Sequence, residues 1–179
     1  MPFVKSISLG ALLSLAVSTA YAHVTLENNQ AIVGTGYKAV FRVPHGCSGA
    51  TTTRIRVQIP EGVIGVKAMP KPGWTLETIK GAYSKTYDLY HAKISEGAKE
   101  IIWSGGRLID ENYDEFVLTG FLSTDLKPNT TLYFPTVQEC ETGLTRWIEI
   151  PAEGKKAGDY PHPAPGLKLL PKTLLPKTP

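Results

Sequence analysis

Short runs in which polar and apolar residues alternate dominate the chain between His23 and Ile150. The run Thr53–Ile59 alternates strictly, as a strand with one buried face does. Similar runs, rich in β-branched and aromatic residues, are Tyr37–Val43, Gly62–Met69, Trp74–Lys80, Tyr83–His91, Lys99–Trp103, Glu115–Leu122, Thr131–Val137 and Thr145–Ile150. Proline and glycine turn sequences separate these runs, and none of them keeps a helical period. The pattern predicts an all-β, antiparallel sandwich or barrel.

The first 22 residues have the composition of a secretory signal. A short segment with one lysine precedes the apolar run Ile7–Val17, and the small residues Ala20 and Ala22 mark a cleavage site. We therefore expect residues 1–22 to be removed on export to the periplasm or the medium. His23 then becomes the first residue of the mature protein. No later run has the length of a transmembrane helix.

The rest of the chain divides into two parts by composition. Residues 23–159 form the predicted domain, whereas residues 160–179 are rich in proline and carry scattered lysines and two leucine pairs. That composition favours an extended, polyproline-like segment, so we expect an exposed C-terminal tail. The full chain has a formal net charge of +3, which gives no argument for nucleic-acid binding.

The chain has two cysteines, Cys47 and Cys140. In an oxidising compartment the first expectation is a disulfide between them, which would stabilise the domain by roughly 2–5 kcal/mol through the long loop that it closes. The alternative is a pair of thiolate ligands for copper(I). Their spacing matches no compact metal motif, which favours the disulfide.

A histidine at a free N-terminus has chemistry that an internal histidine lacks. The α-amine and the imidazole Nδ1 of His23 can bind one metal ion together and close a six-membered chelate ring. Copper(II) favours nitrogen and oxygen donors in a tetragonal arrangement. His23 is therefore the leading candidate for a Cu(II) ligand.

The three other histidines have weaker claims as ligands. His45 lies in a turn sequence after a strand, where a local hydrogen bond is the default expectation. His91 ends a strand and is expected to be exposed. His162 lies in the proline-rich tail, where a mobile side chain makes a poor fixed ligand.

Carboxylates are the better candidates for a further ligand. Glu115 begins a strand on the face opposite Phe116, and a strand can hold a ligand rigidly. Glu139, at the end of another strand, is a second candidate that is equally consistent with a surface acid. For Trp147 the first expectation is a core position in the sheets. Its alternation with Ile148 and Ile150 gives the alternative that it faces away from the main core, where an indole could wall off a shallow metal site.

Taken together, these residues resemble the YcnI-like family of exported copper-binding domains. Each matching stretch is weak alone, but their order and spacing are specific. The stretches are Ala22–Leu26, Phe41–Cys47, Ile59–Val63, Pro72–Trp74, Ile102–Gly106, Asp114–Phe116, Tyr133–Gln138 and Arg146–Glu149. The resemblance runs from Ala22 to about Pro151 and leaves the tail outside.

The resemblance implies a cupredoxin-like or immunoglobulin-like β-sandwich that binds Cu(II) through a single-histidine brace. In this chain the amine and imidazole would come from His23, the carboxylate from Glu115, and the nearby tryptophan would be Trp147. It also implies that Cys47 and Cys140 are structural. Many relatives carry a membrane anchor after the domain, whereas this chain has the proline-rich tail there.

Three functions fit the sequence. The leading hypothesis is a periplasmic Cu(II) carrier or buffer, without enzymatic activity, that works beside copper chaperones, copper import or cuproenzyme assembly. The second is a copper-dependent oxidative enzyme of the histidine-brace type, which needs a further well-placed ligand. The third is a metal-free interaction or adhesion sandwich in which His23 is incidental.

Overall fold

Two antiparallel sheets pack face to face through their apolar sides, as the alternating sequence pattern predicts. The computed structural model describes residues 23–172. The expected signal peptide, residues 1–22, and the last part of the expected tail, residues 173–179, lie outside the described residues. Within the described part, none of the residues belongs to a helix with the length and hydropathy of a membrane span.

The first sheet carries the start of the described chain. Its strands are β1 (Thr25–Leu26), β3 (Gly36–Val43), β5 (Val63–Ala68) and β8 (Asp114–Leu122). Their order in the sheet is β1-β3-β8-β5. In the register of this sheet, Arg42 lies opposite Thr25 on one side and opposite Glu115 on the other.

The second sheet has five strands in the order β11-β10-β4-β7-β6. Two of its strands form one long hairpin, in which the predicted runs Trp74–Lys80 and Tyr83–His91 merge into a single strand. Register shifts after Ile79 and after Ala82 absorb the irregularity that separates the two runs in the sequence. The strands are β4 (Thr52–Gln58), β6 (Thr75–Leu89), β7 (Ala92–Leu108), β10 (Thr136–Cys140) and β11 (Leu144–Trp147).

Aromatic side chains join the two sheets. Trp103 of the second sheet meets Phe116 of the first edge to face, with ring centroids 5.5 Å apart, and both side chains are fully buried. Phe41 meets Phe134 in the same manner at 5.6 Å. These contacts confirm the predicted all-β, antiparallel sandwich.

A small third sheet corrects the expectation of an exposed tail. Its strand order is β2-β12-β9, with β12 parallel to β2 and antiparallel to β9. Leu167 and Leu169 of β12 are buried in the main core, so the tail prediction is wrong for this stretch. The alternation Leu167-Lys168-Leu169 is a strand signal that the prolines on either side of it obscure. The strands are β2 (Gln30–Ile32), β9 (Thr131–Tyr133) and β12 (Gly166–Leu170).

The expected disulfide is confirmed. Cys47, in the turn after β3, is bonded to Cys140 at the end of β10, with a Cα–Cα distance of 6.0 Å. The bridge joins the end of the first sheet's central strand to the second sheet. It also removes both sulfurs as thiolate ligands, so the copper(I) alternative does not apply to the oxidised chain.

Candidate metal site

His23 lies two residues before β1, at the place where three surface depressions meet. One depression, of about 450 Å³, is lined by His23 with Thr25, Arg42, Pro44 and Tyr113. The other two, of about 370 and 460 Å³, lie between His23 and residues 155–166. We call residues 151–165, between β11 and β12, the C-terminal segment. The candidate site is therefore bounded by the first sheet on one side and by the C-terminal segment on the other.

The indole of Trp147 lies beside His23. The two ring centroids lie 5.8 Å apart at an interplanar angle of 62°, an edge-to-face contact. Trp147 is only 4% exposed and belongs to the main core. The expected core position is therefore confirmed, and the alternative that it faces away from the core is wrong. It is Ile148 and Ile150 that are exposed, because the alternation places them outside.

Gln138 fixes the indole of Trp147. The Trp147 Nε1 donates a hydrogen bond to the Gln138 Oε1 at 3.0 Å, and the Gln138 Nε2 donates to the His45 carbonyl oxygen and to the Thr52 Oγ1, both at 2.7 Å. Gln138 is completely buried. A buried amide with all these partners holds the ring in one orientation. Sequence reasoning missed it, although a glutamine at an inward position of β10 is the signal that would have revealed it.

A second histidine lies at the same indole. The ring of His162 contacts the ring of Trp147 edge to face, with centroids 5.3 Å apart and an interplanar angle of 87°. The expectation of a mobile His162 is wrong, because its backbone is paired with Glu149. The reason is that the C-terminal segment pairs with Glu149, just after β11, and leads into β12, which is part of the third sheet.

The electrostatics of His23 favour the neutral imidazole. Burial lowers the pKa of His23 from its ordinary value of 6.5, and the nearby charge of His162 lowers it further. A neutral imidazole is the form that binds metal ions. His23 is thus in the metal-competent form at neutral pH.

The expected carboxylate ligand Glu115 lies one strand away from the lining of these depressions. Its Oε1 pairs with the Arg42 Nε at 3.2 Å, and both side chains are substantially exposed. Arg42, and not Glu115, lines the depression that holds His23. Glu115 as a ligand stays a prediction, and it requires that the carboxylate leave Arg42.

The structure does not bring Glu139 together with His23. Within β10 the inward residues are Thr136 and Gln138, so Glu139 points to the opposite face of the sheet from Trp147. Its carboxylate pairs there with Arg54 at 4.0 Å and Arg56 at 3.5 Å.

Two further histidines are placed as expected from their sequence context. The His45 Nδ1 contacts the Gly46 carbonyl oxygen at 2.5 Å, which is a local turn interaction. His91 is exposed in the turn of the β6–β7 hairpin. Across residues 23–172, no three side chains of histidine, cysteine, aspartate or glutamate are grouped so that they could hold a metal ion.

Comparison with known proteins agrees with this architecture. The sequence profile of DUF1775, described as a domain of unknown function, matches residues 23–169. The chain belongs to this family. DUF1775 is the YcnI-like family that the sequence motifs indicate. The match extends through most of β12, so the DUF1775 domain includes the C-terminal segment that the motifs had left outside.

A solved structure shares the fold of this DUF1775 domain. It is titled "Crystal structure of an uncharacterized protein from Nocardia farcinica reveals an immunoglobulin-like fold". The two chains are 25% identical, the TM-score is 0.61, and the alignment covers 83% of this chain and 98% of the other. No curated protein matches the sequence.

Proposed function

We propose that the exported chain, processed to begin at His23, binds Cu(II) at its N-terminus and serves as a copper carrier or buffer in the periplasm or the medium. The observation that carries the proposal is the position of His23. It precedes β1 at the meeting point of three depressions, with its ring against the fixed indole of Trp147.

The α-amine and the Nδ1 of His23 would hold the metal. No group of three metal-binding side chains is present in the described part of the chain, so the amine is indispensable to a tight site. The neutral imidazole, favoured by its surroundings, needs no deprotonation before it binds. The depressions are open, which suits the uptake and release of an ion.

The test compares mature chains that differ only at the N-terminus. We expect the chain beginning at His23 to take up one Cu(II), measured by calorimetry against a competing chelator and by electron paramagnetic resonance. Loss of a direct ligand exceeds the 10- to 100-fold cost of disturbing an outer partner, so His23→Ala should weaken binding by more than about 100-fold. One alanine added before His23 should have the same effect.

His91→Ala is the matched control, because His91 is exposed in a hairpin turn far along the chain. It should bind copper as the parent does. Tight binding that survives both N-terminal variants would overturn the proposal. A parent chain that binds no copper at micromolar concentration would favour the metal-free interaction sandwich.

A copper-dependent oxidative enzyme is the second candidate, and one observation favours it. His162 lies against the same indole as His23, so a second imidazole is available to the site. Oxygen-dependent peroxide production by the copper-loaded chain, well above that of free copper, would support this function over a carrier.

A further inference from the structure

The C-terminal segment is part of the site, because it carries His162 to the indole that His23 contacts. We propose that the His162 imidazole is a third nitrogen ligand of the copper ion bound at His23. This inference rests on the proposed copper function and adds a ligand that the sequence motifs of the family do not include.

The first support is that the backbone of His162 is held in place. Its amide donates to the Glu149 Oε2 at 2.6 Å, and its carbonyl accepts a hydrogen bond from the Glu149 amide at 3.1 Å. The Ala164 amide then donates to the Glu149 carbonyl at 2.8 Å. Three hydrogen bonds to one residue fix the direction in which the His162 side chain leaves the chain.

The second support is that both imidazoles use the same platform. Trp147 is buried and oriented by Gln138, and the rings of His23 and His162 meet it at centroid distances of 5.8 and 5.3 Å. One buried ring therefore brings the two imidazoles to the same part of the surface.

The third support is the composition of the donor set. The amine and Nδ1 of His23 fill two positions, and the imidazole of His162 supplies a third nitrogen, which suits the tetragonal preference of Cu(II). Glu115 is the weaker candidate for this position because its carboxylate is paired with Arg42. His162 is exposed and has no comparable ion pair among its described contacts.

The decisive experiment counts the imidazoles bound to Cu(II). Pulsed electron paramagnetic resonance of the mature chain, loaded with one equivalent of Cu(II), should detect the remote nitrogens of two imidazoles. In the His162→Ala variant the method should detect only one imidazole, and the affinity for Cu(II) should be lower by roughly 10- to 100-fold. His162→Gln should behave in the same way, and His91→Ala should retain two imidazoles.

The outcomes separate this inference from the proposed function. If the parent and His162→Ala give the same nitrogen modulation and the same affinity, the His162 ligand is refuted, while copper binding at His23 stands. If the parent binds no copper, the proposed function fails first. Recovery of the two-imidazole spectrum when free imidazole is added to His162→Ala would support direct ligation, because imidazole can occupy the position that the substitution opens.

Discussion

Replacement of Gln138 by leucine tests whether one buried amide holds the Trp147 indole in position. The substitution leaves the Trp147 N–H and the His45 carbonyl without their partner, while the Thr52 hydroxyl keeps a contact of 3.5 Å with the Cys140 Sγ. The buried Trp147 N–H costs about 1–3 kcal/mol when it is left unpaired, and the part-buried His45 carbonyl costs less. The leucine returns part of this cost through its apolar surface, so we expect a net loss of about 2–4 kcal/mol in the free energy of unfolding.

Urea denaturation of the oxidised mature chain, followed by tryptophan fluorescence, measures this loss. The matched control is Gln58→Leu, because Gln58 is exposed at the end of β4. The control should change the free energy of unfolding by less than about 0.5 kcal/mol. A loss below about 1 kcal/mol for Gln138→Leu, with an unchanged denaturant slope, would refute the reasoning that the amide is a necessary partner of the indole.

Two further predictions concern β12 and the carboxylate of Glu61, which lies in the turn between β4 and β5. Leu169→Ala should lower the free energy of unfolding by about 2–5 kcal/mol, measured by thermal melting, because Leu169 is only 1% exposed. The control Lys168→Ala, at the exposed neighbouring position, should lower it by less than about 0.5 kcal/mol. Equal effects would contradict the docking of β12. Burial opposes the ionisation of Glu61, but hydrogen bonds from Lys99 and from neighbouring groups outweigh it and lower the pKa of Glu61 from its ordinary 4.5 to about 2. Since the folded pKa lies below the unfolded one, this stabilisation is present above pH 4.5 and is lost as the pH falls towards 2. With screening of the partly exposed carboxylate it amounts to about 1 kcal/mol. Glu61→Gln should therefore make the free energy of unfolding in urea less dependent on pH in that window.

The main sheets were predictable because their strands are rich in β-branched and aromatic residues and are separated by turn sequences. β3 and β8 coincide closely with the runs Tyr37–Val43 and Glu115–Leu122, although three consecutive residues are buried in the middle of each strand. The disulfide was equally accessible, because two cysteines allow only one pairing. Composition misled at β12, where flanking prolines outweigh a strand of five residues.

The candidate site was only half predictable. His23 and Trp147 follow from the expected cleavage point and the family motifs, and the structure brings their rings together. His162 could not be found this way, because its place depends on the pairing of the C-terminal segment with Glu149. Such long-range pairing leaves no periodic signal in a single sequence.

The parallel pairing of β2 with β12 determines when the surroundings of His23 can form during synthesis. A chain is synthesised from its N-terminus, so His23 leaves the ribosome long before the residues that complete its surroundings. The depression that His23 shares with Gly166 and Lys168 exists only after Gly166–Leu170 has docked between β2 and β9. One wall of the surroundings of His23 is thus among the last parts of the domain to be assembled. A recombinant chain ended at Asp159 would lack this depression.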